Sequence, residues 1–399
     1  MIKVAIMGYG TIGSGVAEVL EKNKESIQKH AGEELSVKYI LDLRDFPGDP
    51  NEDKIVHDVD TIVNDPEIQI VVETMGGVEP AYTFVKKMLL AGKSVTTSNK
   101  ALVAEKGAEL LTIAKNRELN FQFEASVGGG IPIIRSLNKS LTADVIEEIS
   151  GILNGTTNYM LTKMTEIGSD YDAVLKEAQD LGYAERDPSA DVEGYDTCRK
   201  IAILTSLISS RQVDFHAIHT EGITKITPLD IQYAKDLKCR IKLVAESRLQ
   251  KNGSYAILVA PFMVPESHPL FTVNGVFNAV FVHGNMLGDA MFFGSGAGKL
   301  PTASAVVADI VDMAKHTHRN IPVLWSEETL QVPDYRESSF RYFVRTTADE
   351  QDIKGVFNNI SMLDAKDAKE RAFTTEPMSG YDFEKAAAAI SVLSAIRMK

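Results

Sequence analysis

The chain has 399 residues, enough for two or three domains and a large core, and its 44% hydrophobic and 24% charged residues are ordinary for a soluble globular protein. A formal net charge of −13 supplies no broad basic surface, which argues against nucleic acid or an anionic membrane as partner. No apolar run approaches the roughly 18 residues of a membrane helix, no signal-peptide pattern opens the chain, and Cys198 and Cys239 have no framework spacing, so the expectation is a cytoplasmic protein with no membrane partner.

The first elements in chain order spell a dinucleotide fold. IKVAIMGYGTIGSGVAEVLEKN is an apolar strand, then Gly8-x-Gly10-x-x-Gly13, then an amphipathic helix. Gly8 makes the tight turn, Gly10 admits a pyrophosphate to the backbone, and Gly13 lets helix and strand pack closely. The helix start, Gly10, Thr11, Ile12 and Gly13, then offers N–H groups and a positive dipole end to phosphates. SVKYIL (36–41) is a second strand ending in Asp42-Leu43-Arg44. QIVVET (69–74) is another, followed by a Gly-Gly turn and a helix over Pro80–Ala91. KSVTTS (93–98) leads into Asn99-Lys100 and a helix, and NFQFEASV (120–127) reads as a fifth strand. Strands alternating with helices predict a Rossmann-type, doubly wound parallel sheet in an α/β protein. Ligands bind at the carboxyl ends of such strands, where Arg44, Ser98, Asn99 and Lys100 fall. Asp42 suits the free ribose hydroxyl of NAD and Arg44 the 2′-phosphate of NADP; the balance leans slightly to NADP.

Asn154-Gly155-Thr156-Thr157-Asn158 reads as a turn and N-cap before the helix YMLTKM. The stretch 182–200, GYAERDPSADVEGYDTCRK, packs Glu185, Asp187, Asp191, Glu193 and Asp196 ahead of an Arg-Lys pair. Its first half reads as loop; from about Gly194 it enters a helix on which Asp196 and Lys200 share a face. That spacing is also an ordinary surface salt bridge, and only its context marks it as a site. Cys239 falls in a helix-like run. SYAILVAPFMVP and NAVFVHGNMLGDAMFFGSG read as antiparallel strands with a hairpin turn near Gly284-Asn285. His283 before that turn reads as structural. His316 and His318 are two apart, a poor spacing for a helical metal face, so no transition metal is assigned. A helix from Pro301 to His316 is expected to return to the dinucleotide domain.

Five segments, AGKSVTTSNKALV, FEASVGGGIPII, GILNGTTNYMLTKM, GYAERDPSADVEGYDTCRK and FFGSGAGKLPTASAVVADI, together resemble homoserine dehydrogenase over about residues 2 to 325. The resemblance implies interconversion of L-homoserine and L-aspartate 4-semialdehyde with NADP or NAD, on the way to threonine and methionine. It implies Lys200 as proton donor and acceptor, Glu185 and Asp196 holding the substrate's amino group, Asp191 in support, and Lys100 between nicotinamide and substrate. It implies a monovalent cation (Na or K) on the backbone carbonyls of Glu124, Val127, Gly129 and Ile131, and Gly298 beside the cofactor. The implied layout is a dinucleotide domain over 1–131 with 300–325, an α+β substrate and dimerisation domain over 132–299, and a homodimer or homotetramer. A base at this position works best with a pKa near the working pH.

From Tyr335 the pattern becomes strand SSFRYFVRTTA, helix DIKGVFNNISML, strand RAFTTEPMS, helix FEKAAAAISVLSA and strand IRMK. This resembles a shortened ACT domain over 335–399 in a small α+β C-terminal module. It departs from that module's pattern: Asp349-Glu350-Gln351-Asp352 replaces the usual Asp-x-Pro-Gly turn, and about one strand is missing. A structural or oligomerising role therefore stands beside threonine binding. Two other readings remain open: an aldehyde-oxidising thiol dehydrogenase, which needs Cys198 or Cys239 as nucleophile, and a cofactor-binding sensor without catalysis.

Overall fold

The structure, a computed structural model, describes residues 1–399 as two compact units. The first comprises Met1–Val145, Ala202–Phe215 and Gly294–Leu330; the second comprises Ile146–Ile201, His216–Phe293 and Gln331–Lys399.

The first unit holds a six-stranded parallel sheet. Its spatial order is Ile55–Val56, Leu35–Leu41, Ile2–Met7, Ile68–Glu73, Ser94–Thr97 and Phe121–Gln122. By chain position this is 3-2-1-4-5-6, the Rossmann order. Ile2–Met7 sits near the middle and is almost wholly buried, as a strand covered on both faces must be. Val4, Ile6, Ile70 and Val72 from the strands meet Val16 and Leu20 of the helix Thr11–Lys22 in one core. Val306, Ile310 and Met313 of the helix Lys299–Lys315 close that core, so a late segment completes an early fold. The expected fifth strand over 120–127 is cut short. Only Phe121–Gln122 pairs, and Ala125–Gly128 turns into a short helix because residues 124–131 are fixed by buried hydrogen bonds described below.

The second unit is built on a mixed sheet. Its order is Gly288–Ser295, Phe277–Gly284, Ile146–Ile152, Cys239–Leu249, Tyr255–Pro265, Val392–Met398, Ser339–Thr346, Arg371–Thr375 and Ile360–Leu363. Cys239 therefore starts a strand rather than lying in a helix; the alternating apolar residues of IKLVA fit a buried strand as well as a short helix. The hairpin turn after Gly284 is present, and His283 Nδ1 lies 2.6 Å from Asp289 Oδ1 across it.

The C-terminal strands continue this sheet. Ser339–Thr346, helix Glu350–Val356, Ile360–Leu363, Arg371–Thr375, helix Gly380–Ala387 and Val392–Met398 form a βαββαβ run with sheet order 4-1-3-2, all antiparallel. That is the ferredoxin-like arrangement. The strand that seemed missing is Ile360–Leu363, which the sequence pattern had absorbed into the preceding helix. The module is pinned by Arg345, whose side chain is 8% exposed. Its Nη1 donates to Asp230 Oδ1 at 2.8 Å, and Nε and Nη2 reach Glu370 at 2.9 and 3.1 Å. Asp230 is fully buried and reciprocally caps its own helix with Thr227. Removing one partner of such a pair leaves a charge stranded in a dry site. Arg345→Met is expected to lower the unfolding free energy by about 3 kcal/mol, measured by urea denaturation; an unchanged midpoint contradicts this role.

Candidate active site

In the second unit the site is organised by Asn154. The strand Ile146–Ile152 ends two residues before it, and the helix Gly155–Ile167 begins just after. As N-cap, Asn154 accepts from Thr157 N at 2.9 Å through Oδ1. Its amide nitrogen, freed by that arrangement, donates to Asp191 Oδ1 at 2.7 Å and to Asp196 Oδ2 at 3.0 Å. Lys200 Nζ donates to the same Asp196 oxygen at 2.7 Å and to the carbonyl of Leu153 at 2.7 Å. Asp196 and Lys200 are 3% and 8% exposed, so this pair is no surface bridge. Asp191 is partly buried. Burial, and then the charge of Asp196, push its carboxyl above the usual range. Two carboxyl groups thus stand beside the Lys200 amine around one asparagine amide, a donor set suited to a substrate ammonium.

The structure thus joins Asp191, Asp196 and Lys200. Glu185 is placed apart: it lies in the exposed loop over 181–188, and its backbone carbonyl accepts from Gln179 at 3.1 Å while its carboxylate takes no part in the Asn154 network. Asp187 Oδ1 accepts from Ser189 N at 3.1 Å, just before the short helix Ser189–Val192, and Glu193 is half-buried. Asn154 was legible only as a cap; no sequence pattern announces that the other end of its amide bridges two carboxylates.

In the first unit the residues expected to meet the cofactor include Arg44, Ser98 and Lys100 at the carboxyl ends of the parallel strands. Gly10 is the N-cap of Thr11–Lys22, and no side chain caps that helix, which leaves its first N–H groups available to a phosphate. A Cβ on Gly10 would meet open space, whereas one on Gly13 would lie 1.9 Å from Gly8 O. These are the free approach and the tight packing that a dinucleotide turn needs. Thr11 is exposed and Ile12 half-buried in the same first turn. Arg44 grips Asp42 through Nε at 3.0 Å and Nη2 at 3.1 Å, and Tyr9 N also donates to Asp42 at 2.8 Å. The Arg44 hydrogen bonds hold the Asp42 carboxyl down at about 2. Ser98 N donates to Glu73 O at 3.4 Å, Asn99 caps the helix Lys100–Asn116, and Lys100 opens that helix. Gly298 is the N-cap of Lys299–Lys315.

The segment Glu124–Ile131 is almost wholly buried. Glu124 Oε1 and Oε2 accept from Ile134 N at 2.8 Å and Arg135 N at 2.7 Å. Glu124 N donates to Asp309 at 3.0 Å, and Asp309 also takes Thr96 at 2.9 Å and Arg135 Nη2 at 2.5 Å. Val127 is 1% exposed, Gly129 has φ +57°, and a Cβ there would lie 2.4 Å from Gly296 O. The Ile131 carbonyl accepts from Ile133 N at 2.9 Å. Neither cysteine looks like a nucleophile: both are buried, and burial pushes the Cys239 thiol up, away from thiolate.

Two family models match the chain, "Homoserine dehydrogenase" over residues 132–311 and "Homoserine dehydrogenase, NAD binding domain" over 8–124. The chain belongs to the homoserine dehydrogenase family. It is accordingly an NAD(P)-binding oxidoreductase. Among relatives, the homoserine dehydrogenase of Bacillus subtilis is 42% identical over 320 residues, 79% of this chain and 73% of that protein. That of Neisseria gonorrhoeae is 39% identical over 387 residues, 92% of this chain and 86% of that protein. The crystal structure of a homoserine dehydrogenase from Thiobacillus denitrificans superposes with TM-score 0.92 at 35% identity, covering 100% of this chain and 98% of that one. A hyperthermophilic archaeal homoserine dehydrogenase in complex with NADPH gives TM-score 0.67 at 28% identity, covering 81% and 99%.

One pH dependence follows from the buried segment. Burial, and then the charge of Asp309, raise the Glu124 carboxyl from 4.5 to about 7. The folded state therefore favours the protonated form. The stability this lends is complete below pH 4.5 and is lost as pH rises through 7. Glu124→Gln is expected to flatten the fall in unfolding free energy across that window in urea titrations. A slope equal to that of the wild type contradicts it.

Proposed function

We propose that this chain interconverts L-homoserine and L-aspartate 4-semialdehyde, with Lys200 moving the proton at the substrate oxygen. The observation that carries this reading is the buried amine of Lys200, 2.7 Å from both Asp196 and the Leu153 carbonyl, beside a second carboxylate. Hydride transfer at C4 is the chemistry that the nicotinamide supplies when bound. As hydride leaves, the hydroxyl proton must leave too; Lys200 takes it as the neutral amine, after its ammonium has released a proton to solvent, and in the reverse direction the ammonium donates that proton to the aldehyde oxygen. Asp196 orients Lys200. Asp191, Asp196 and Glu185 are the carboxylates for the α-ammonium; Glu185 would join them by movement of its exposed loop. Lys100 is the second catalytic lysine in this reading.

On the cofactor, we read Gly10, Thr11, Ile12 and Gly13 as the pyrophosphate site, with Ser98, Lys100 and Gly298 as further contacts. Arg44 is exposed at the end of the second strand and its pairing with Asp42 offsets the charge of the carboxylate that would otherwise select a free ribose hydroxyl. That supports NADP over NAD, with Arg44 on the 2′-phosphate. The Glu124, Val127, Gly129 and Ile131 carbonyls are read as the seat of Na or K; oxygen donors on a rigid, buried backbone suit a hard cation. Two buried free thiols suit a cytoplasmic setting.

The C-terminal run is read as an ACT-like module over 335–399, beside a dinucleotide domain over 1–131 with 300–325 and a substrate domain over 132–299. Its ferredoxin-like order supports this. Asp349, at the turn where an effector would bind, instead caps its own helix through Asp352 N at 2.9 Å. A structural role is favoured over threonine binding.

We read the assembly as a homodimer or homotetramer through the edge strand Gly288–Ser295. Its outward residues Met291 and Phe293 are 40% and 53% exposed, and Phe293 packs on Phe277 at 5.1 Å. An uncovered edge bearing such a row invites a second copy. Phe293→Asp is expected to reduce the mass in multi-angle light scattering to that of the monomer; an unchanged mass contradicts this edge.

The test of the reaction is reduction of NADP⁺ by L-homoserine. Lys200→Ala is expected to lower kcat by about 10² to 10⁴. No turnover of homoserine by the wild type, or an unimpaired variant, would sink the assignment.

A further inference from the structure

Glu73 is the last residue of the strand Ile68–Glu73 and is fully buried, yet no lysine, arginine or histidine pairs with it. Its carboxylate is held by neutral donors alone. Oε1 accepts from Met75 N at 2.7 Å and Gly76 N at 3.3 Å, and Oε2 accepts from Thr97 Oγ1 at 2.5 Å. Thr97 Oγ1 accepts in turn from Asn99 N at 2.9 Å, and the Glu73 carbonyl takes Ser98 N. Asn99 completes the loop by donating from Nδ2 to Gly77 O at 2.5 Å. Next in sequence, Thr74 Oγ1 donates to Gly8 O at 2.9 Å.

This carboxylate therefore ties together two backbone segments at one edge of the sheet, the turn over 74–77 and the strand end at Thr97, while its neighbour Thr74 ties the first of them to the glycine turn at Gly8. The turn over 74–77 has little rigidity of its own. Gly76 and Gly77 have φ of +82° and +72°, and glycines sample many other conformations. A neutral apolar residue at 73 would take the shared acceptor from Met75 N, Gly76 N and the Thr97 hydroxyl at once, leaving the turn and the strand end without their common tie.

We infer that Glu73 is a positioning residue for the nicotinamide cofactor, fixing the 74–77 turn and the Ser98-Asn99-Lys100 strand end in their binding geometry. This rests on the NAD(P)-binding reading of the unit. It makes Glu73 more than a cap for its own loop, because the same side chain also holds Thr97, at the strand end that leads into Ser98 and Lys100. Its worth should appear in cofactor affinity and in kcat, and a purely structural glutamate would move neither in the protein that remains folded.

The test uses the full chain, with NADPH as probe. Fluorescence titration without substrate gives the NADPH dissociation constant, and steady-state kinetics give kcat and the KM for homoserine at saturating cofactor. Glu73→Ala is expected to weaken NADPH by about tenfold or more, the loss of one to two hydrogen-bonded contacts, and to lower kcat, with the homoserine KM nearly unmoved. A folded Glu73→Ala protein that binds NADPH as the wild type does overturns the inference. Should that variant fail to fold, Glu73→Gln carries the test. It keeps an acceptor for Met75 N but presents an NH₂ group to Thr97, so a weakening of at least about threefold is expected, and wild-type affinity overturns the inference. A wild-type chain that binds no NADPH overturns the cofactor reading, and this inference with it.

Discussion

An ammonium and a carboxylate held 2.7 Å apart out of water are expensive to bury, and the second unit is arranged around keeping that pair satisfied. Asp196 and Lys200 sit one helical turn apart, so their side chains meet with no further adjustment. Two further contacts come from one place. Leu153 offers a carbonyl to Lys200, and Asn154 offers an amide to Asp196. Both residues lie at the junction of strand Ile146–Ile152 and helix Gly155–Ile167, so the central sheet dictates where the amine stands. Asp191, drawn in by the same amide, brings a second carboxyl group beside the pair. A cationic substrate group is the natural complement.

The first unit solves a related problem without a cation at Glu73 and with one at Asp309. Asp309 is buried beside Glu124 and is matched by Arg135, while Thr96 and the Glu124 N–H fill its other oxygen. Glu73 relies on a hydroxyl and two amides. In both cases a buried carboxylate fixes irregular backbone at the sheet's carboxyl edge, where regular strand pairing has stopped and loops need another source of rigidity.

Much of this was legible in the sequence because local rules sufficed. The glycine turn, the parallel alternation, the Asp196–Lys200 spacing and the Asn154 cap all depend on residues within a few positions of one another. What stayed hidden depends on long-range contact. Nothing near Asn154 marks Asp191 as its partner, and Glu73 reads as an ordinary strand end until Thr97 is seen beside it. NFQFEASV has strand composition, yet Asp309, 185 residues away, holds Glu124 out of the ladder. In the C-terminal module the strand Ile360–Leu363 was read as helix because its short apolar pattern fits either period. Glu185 shows the reverse limit: motif resemblance gives it a substrate role, while this structure leaves it in an exposed loop.

The central claim is that the amine of Lys200 is the group that moves the proton. Chemical rescue tests it most directly. Small primary amines added to Lys200→Ala are predicted to restore homoserine oxidation in proportion to their concentration, with more basic amines working better until size excludes them. A variant that still binds homoserine and NADPH but gains no turnover from any amine would contradict the account.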